Sequence, residues 1–258
     1  MATDEPITIH DIFRYPVKGM TGERLDRAEL LPGQAIANDR RFALALSSTR
    51  AGAAATEWMP KSNFLMLMRD ERLASIETRF DDVTDTLTVF RNDRQVAKGK
   101  LTDAVGRATI EEFYGAFMGK ESGGRPKVIE GAGGHVLSDH ASPVLSIINL
   151  ASVKDLERVT QKPVDPRRFR GNILIDGLAP WQEFDWIEKS ISIGDVRCTV
   201  TGRIDRCAAT NVNPNTAERD MNIVMSLKRG FDHIDMGVFV RIETAGTIET
   251  GARLTLPA

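Results

Sequence analysis

Cysteine is close to absent from this 258-residue chain, which has only Cys198 and Cys207. Two thiols cannot build a disulfide framework, a four-thiolate iron–sulfur cluster or a four-cysteine zinc site. Histidine is nearly as scarce, with four in the chain. His135 and His140 lack the spacing and the glutamate of a zinc-binding helix and read as loop or surface residues. Neither sign of charge is in excess: 34 Lys and Arg stand against 36 Asp and Glu, for a formal net charge of -2. No global basic field points to nucleic acid or an anionic membrane, so neither is expected as a partner. No apolar run approaches the roughly 18 residues of a membrane span. The opening MATDEPITIH is acidic and lacks the regions of a signal peptide, so a cytoplasmic location is expected. GAGGH at 131–135 lacks the G-x-G-x-x-G spacing of a dinucleotide site, and there is no phosphate-binding P-loop.

What is present is patterned for strands. ITIHDIF, RRFALAL and ASIETRF carry alternating or short apolar runs bounded by turn residues. TLTVF and QVAKG flank RND, which reads as a hairpin turn. NFLMLM, after Lys61 and Ser62, reads as a short buried helix capped by Ser62. TDAVGRATIEEFYGAFMG places Val105, Thr109, Phe113 and Phe117 at steps of four, an amphipathic helix with that face inward. Residues 119–134 are rich in glycine and polar residues and mark the boundary inside the chain. SVKDLERV reads as a helix opening at Ser152 with Asp155 in a weak capping box. NILIDG, SISIGDVRCTV and GVFVRIET return to strands. The expectation is a β-rich α+β protein, barrel-like because short antiparallel strands must avoid open edges.

The two cysteines differ. In DVRCTV, Val196, Cys198 and Val200 share one face of a strand, so Cys198 reads as core. Cys207 sits in TGRIDRCAATNVNP, between charged residues and an Asn-Pro turn. Arg203 and Arg206 favour its thiolate and Asp205 opposes them. Cationic residues gather elsewhere too: Lys18 and Gly19 in RYPVKG, Arg40 and Arg41 in NDRRFAL, and Arg167, Arg168 and Arg170 in DPRRFRGNILIDG. Each cluster alone reads as a solvated strand end. Together with an arginine-flanked thiol they suit an anionic ligand with a soft metal centre, because guanidinium forks bind phosphate and thiolate binds soft metals.

In this order, YPVKG, RRFAL, HASPVLSIINLASV, FRGNILIDG, SISIGDVRC, DRCAATNVNPNT and GVFVRIETAGTIETGARL resemble the MOSC-domain proteins. The branch is the one containing the mitochondrial amidoxime reducing components and the C-terminal part of molybdenum cofactor sulfurase. The resemblance implies an N-terminal β-barrel-like region over 1–120, packed against a MOSC β-barrel domain with a few helices over 121–258. It implies the molybdenum cofactor, a pterin that holds the metal by a dithiolene and ends in a phosphate. Cys207 is then the metal ligand and a catalytic residue, with Asp205 and Arg206 lining the cofactor. Lys18 and Gly19 match a Lys-Ser pair, and Arg41 matches an arginine before an aromatic residue. Arg170 and Asn172 match Arg-x-Asn, and Ala141 and Ser142 match Thr-Ser. Phe239 stands where tyrosine is common. The implied activity is two-electron reduction of small N-hydroxylated substrates such as amidoximes and hydroxylamines, fed by a separate electron-transfer protein. Asp205 is a candidate proton relay or simply the partner of Arg203 or Arg206. The alternatives are sulfur transfer through a Cys207 persulfide and a non-catalytic molybdopterin carrier.

Overall fold

A computed structural model describes residues 6–50 and 52–256. In chain order its strands are β1 (Thr8–Arg14), β2 (Glu23–Leu25), β3 (Arg27–Leu30), β4 (Phe42–Ala45), β5 (Ala54–Ala55), β6 (Glu77–Asp81), β7 (Thr86–Arg91) and β8 (Arg94–Lys100). They continue with β9 (Lys127–Gly131), β10 (Leu145–Asn149), β11 (Ile173–Asp176), β12 (Ser190–Ile193), β13 (Val196–Asp205), β14 (Asp235–Ile242), β15 (Gly246–Glu249) and β16 (Leu254–Thr255). Three α-helices join them: α1 (Ala104–Met118), α2 (Leu150–Thr160) and α3 (Ile223–Phe231). The protein is β-rich α+β.

Eight strands form one curled sheet, a half-barrel in the order β16-β12-β13-β14-β10-β11-β1-β2. All its pairings are antiparallel except β10 with β11. Alternation sends Leu145, Ile147, Ile173, Ile175, Val238 and Val240 to the inner face, where Leu30 of β3 and Ile248 of β15 close the core. Ile148, Leu174 and Met236 point the other way, onto Val153 and Leu156 of α2 and Leu227 of α3. The sheet is therefore buried on both faces at its middle. A second core gathers Phe42 and Leu44 of β4, the β6-β7-β8 sheet and α1. Asn92 and Asp93 both take positive φ, so Arg91 and Arg94 close a two-residue hairpin, as RND suggests. A cut at residue 120 does not separate the sheets, because β1 and β2 belong to the eight-stranded sheet and β9 completes the β4-β9-β5 sheet.

Three local expectations need correction. The inward face of α1 is Gly106, Ile110, Tyr114 and Met118, one residue on from the stripe read by steps of four; Val105 is 79% exposed. The contact with β8 decides this: a Cβ on Gly106 would lie 2.2 Å from Lys100 O, and one on Gly99 would lie 2.3 Å from Gly106 O. Only glycine permits that approach. Second, α2 is capped by Asn149, which accepts from Ala151 N–H, while Ser152 is buried inside the helix. Third, Lys61–Asn63 makes one 3-10 turn with no side-chain cap, and Phe64 onward is not helical. The glycine-rich stretch 119–134, read as the boundary inside the chain, also contains β9, whose Val128 and Ile129 are buried.

Candidate functional site

Two turns, RYPVKG and NDRRFAL, are braided together. Arg40 N–H donates to Tyr15 O, Phe42 N–H to Pro16 O, and Lys18 N–H to Phe42 O. Asp39, buried, accepts from Tyr15 N–H at 2.7 Å and pairs with Arg40 at 2.5 Å. The guanidiniums of Arg40 and Arg170 lie 4.5 and 4.2 Å from the centre of the Tyr15 ring. Arg40 also donates to Arg170 O at 2.9 Å, which places a charged donor from residue 40 beside one from residue 170. Arg170 itself ends a short 3-10 turn in the left-handed region, φ 51. Among the described residues, only Met20 O accepts from its guanidinium, at 2.7 Å.

The C-terminal half brings the thiol to the same place. β13 ends at Asp205, and Cys207 precedes a 3-10 turn over Ala208–Asn211. Thr210 fixes this turn by donating from N–H and Oγ1 to Cys207 O. Arg206 donates to Phe169 O and to Met236 O from both Nε and Nη2. Burial pulls the Arg206 guanidinium down to about 10, as it does for Arg170, and both remain charged at neutral pH. Cys207 is half-buried; Cys198 is fully buried between Ile191 and Ile242, and burial pushes its thiol up to about 12.

These elements wall a cavity of about 640 Å³ whose lining includes Lys18, Gly19, Arg40, Arg170, Asn172, Asp205, Arg206, Cys207 and Phe239. A smaller cavity of about 390 Å³ adjoins it and shares Gly19, Arg168 and Arg170. Three residues from the sequence reading lie outside the lining. Arg41 turns away to pair with Asp85 and Glu130, while its neighbour Arg40 enters the cavity. Ala141 and Ser142 are exposed, and Ser142 N–H donates to His140 Nδ1.

Several polar groups in the cavity are already engaged. Lys18 Nζ donates to Leu137 O at 3.0 Å and pairs with Asp139 at 2.5 Å. Burial lowers the Lys18 pKa; burial pushes the Asp139 carboxyl up, but Lys18 more than offsets this and holds it below the usual range. Asn172 bonds to both Ser146 and Phe13 O, tying β10 and β1 beside β11. Asp205 pairs with neither arginine beside it, since Arg203 reaches Asp235 and Arg206 the carbonyls.

Sequence reasoning missed Tyr15, which holds both arginines, and His140, which lines the cavity with its ring 4.9 Å from that of Phe239. Tyr15 stood inside a quoted motif, but a buried aromatic next to a strand looks like core. His140 likewise opened a quoted motif, HASPV, but a histidine without metal-ligand spacing looks like a loop or surface residue, and its partners are a ring face and backbone.

Among the described residues, no group of three or more His, Cys, Asp or Glu side chains is arranged to hold a metal ion. A metal here would rest on one thiolate and on ligands it brings with it. The residues fit such a group. Cys207 supplies a soft donor, Arg170 keeps uncommitted guanidinium N–H groups, and Arg168, 4% exposed, keeps a buried Nε without a partner.

A β-rich protein with one half-buried thiol and several arginines around a cleft defines a class, a cofactor- or anion-binding thiol protein. Comparison with known proteins narrows it. Family profiles match the MOSC N-terminal beta barrel domain at residues 6–124 and the MOSC domain at residues 134–255. The chain belongs to the MOSC-domain family. It is 29% identical over 123 residues to mitochondrial amidoxime-reducing component 1 of Mus musculus, covering 43% of this chain and 35% of that protein. It is 22% identical over 254 residues to molybdenum cofactor sulfurase of Caenorhabditis elegans, covering 95% of this chain and 35% of the relative. The matched stretch is thus about a third of each relative's length. The solved YUAD protein of Bacillus subtilis is 10% identical with a TM-score of 0.45, over 97% of this chain and 94% of that one. No helix among the described residues is long and apolar enough to cross a membrane.

Proposed function

We propose that the protein is a molybdenum-cofactor-dependent reductase of N-hydroxylated compounds. The observation that carries this reading is the convergence of a half-buried thiol, Cys207, with Arg40 and Arg170 on one cavity. The family membership and the named relatives support it. Cys207 would ligate the metal, and Arg170 and Arg40 would take the cofactor's phosphate in planar forks. Arg206 stiffens the turn carrying the thiol. Lys18 is held by Asp139 and would contribute charge from the buried wall. Phe239 and His140 present ring surface to a substrate. When bound, the cofactor supplies two-electron oxygen-atom chemistry.

The overall reaction is R–NHOH + 2 H⁺ + 2 e⁻ → R–NH₂ + H₂O: the N–O bond breaks, nitrogen is reduced, and oxygen leaves as water. The electrons come from a separate electron-transfer protein. Asp205, exposed in the cavity lining and not paired with its neighbouring arginines, would pass protons.

Metal analysis of the purified protein, beside an assay for the oxidised fluorescent pterin, tests this. Equimolar molybdenum and pterin, with turnover of a hydroxylamine or amidoxime by chemically reduced dye, is the expected result. Persulfide on Cys207 with neither metal nor pterin would instead establish sulfur transfer, and cofactor without turnover would establish a carrier.

A further inference from the structure

The cavity wall beside Cys207 is made by two segments far apart in sequence: Met66, Leu67 and Met68 from the first half, and Cys207, Ala209 and Thr210 from the second. A single side chain spans them. Arg219 donates from Nη1 to Ala208 O at 3.1 Å and from Nη2 to Leu67 O at 3.0 Å and Met68 O at 2.9 Å. Its Nε donates to Glu71 at 3.1 Å. The base of Arg219 is fixed, because residues 213–218 fold back so that Val212 and Arg219 form a bridge and Asn213 N–H donates to Glu218 O.

The other hydrogen bonds of 66–70 are internal or local: Arg69 and Asp70 N–H donate to Met66 O, and Arg69 Nη2 donates to Phe64 O. Among the described residues, no other hydrogen bond joins residues 64–71 to any residue beyond 200. We infer that Arg219 is a positioning residue that latches this wall to the turn bearing Cys207 and so sets access to the thiol. The ion pair with Glu71 is a minor part of the latch, because both side chains are about a third or more exposed and such pairs contribute little. The three carbonyl bonds carry it, each a charged donor on a neutral acceptor. Without them the wall keeps its own turn but loses its fastening, and local opening no longer requires global unfolding. The inference does not depend on the molybdenum reading, since it concerns the reach of solvent to a sulfur atom.

The chain's two cysteines provide the test. The full chain is made in cells unable to synthesise the pterin cofactor, so that both thiols are free, and is labelled with iodoacetamide under native conditions. Mass spectrometry follows each cysteine peptide separately. Cys198 has no exposure and reports only global unfolding. In Arg219→Ala, Cys207 should be labelled about tenfold faster or more, since losing bonds from a charged donor is worth at least that much in an opening equilibrium. Cys198 should stay unlabelled. Arg219→Lys, whose single ammonium cannot reach three carbonyls as a fork does, should fall between. Equal Cys207 rates in all three proteins would overturn the inference. So would a joint acceleration of Cys207 and Cys198 in Arg219→Ala, because that is loss of the fold and not of the latch.

Discussion

At the scale of the residue, the two cysteines separate chemistry from packing. Cys207→Ala should abolish reduction of N-hydroxylated substrates and remove the metal, because a methyl group cannot replace a soft thiolate. Cys198→Ala should keep most activity and lower unfolding stability by about 1 kcal/mol, the cost of a small deletion in a packed strand pair. Activity assays beside denaturant titrations read both, and an active Cys207→Ala protein would remove the thiol from the mechanism. The arginines divide in the same way. Arg40→Ala and Arg170→Ala should each weaken pterin retention by roughly tenfold or more, the worth of hydrogen bonds to a charged group. Arg170→Lys should do little better, for lack of the planar fork. Arg41→Ala should leave pterin content unchanged and lower stability instead, since Arg41 serves Asp85 and Glu130. Pterin content measured against thermal midpoint distinguishes these outcomes, and pterin loss in Arg41→Ala would reverse the assignment.

At the scale of the element, a buried carboxyl ties α2 to the turn at Gln182–Trp186. Glu183 is fully buried and accepts from Ser152 Oγ at 2.7 and 2.9 Å and from Asn149 Nδ2 at 2.8 Å. No cation pairs with it among the described residues, and burial raises its pKa above the ordinary 4.5. The native state therefore binds its proton more tightly than the unfolded chain. Its contribution is fully present below pH 4.5 and is lost as pH rises through the folded value. Relative to wild type, Glu183→Gln should gain stability between pH 4 and pH 8, each tenfold difference in acidity being worth about 1.4 kcal/mol. Urea titrations across that range check it; parallel curves would mean that Glu183 carries no such penalty.

Elements were largely legible where pattern and burial coincide. The alternation of Val196, Cys198 and Val200 placed β13, and RND placed the β7-β8 hairpin. The face of α1 was not legible, because steps of four pick out Phe113 and Phe117 while the Gly99–Gly106 approach lies across two elements. Nor was β9, since a strand inside a glycine-rich stretch is specified by its partners β4 and β5. In the candidate site, the motifs located the thiol and the arginine clusters. Which of two adjacent arginines turns inward depends on Asp85 and Glu130, charges 44 and 89 residues away.

At the scale of the molecule, the proposed reduction requires electrons from outside this chain. With Cys207 in the cavity and Cys198 sealed in the sheet, this chain has no thiols for an iron–sulfur cluster. It should turn over with reduced viologen dye and not with NADH or NADPH alone, needing a small electron-transfer protein that docks weakly and salt-sensitively. Sustained NADH-driven reduction by the isolated chain, free of contaminating reductases, would contradict this.

The order of the large sheet has a further consequence, during synthesis. β1 leaves the ribosome long before β11, yet the two pair, Thr8 opposite Asp176, and Ile9 N–H donates to Ala252 O. At about 5–20 residues per second, β2 follows β1 within a few seconds, but the other edge of β1 waits on the order of ten seconds for β11 and longer for Ala252. During that interval Ile9 and Ile12, destined for the innermost core, are exposed on an unpaired edge. Slower translation or a smaller chaperone supply should therefore lower the yield of usable protein without any change in the stability of the finished fold.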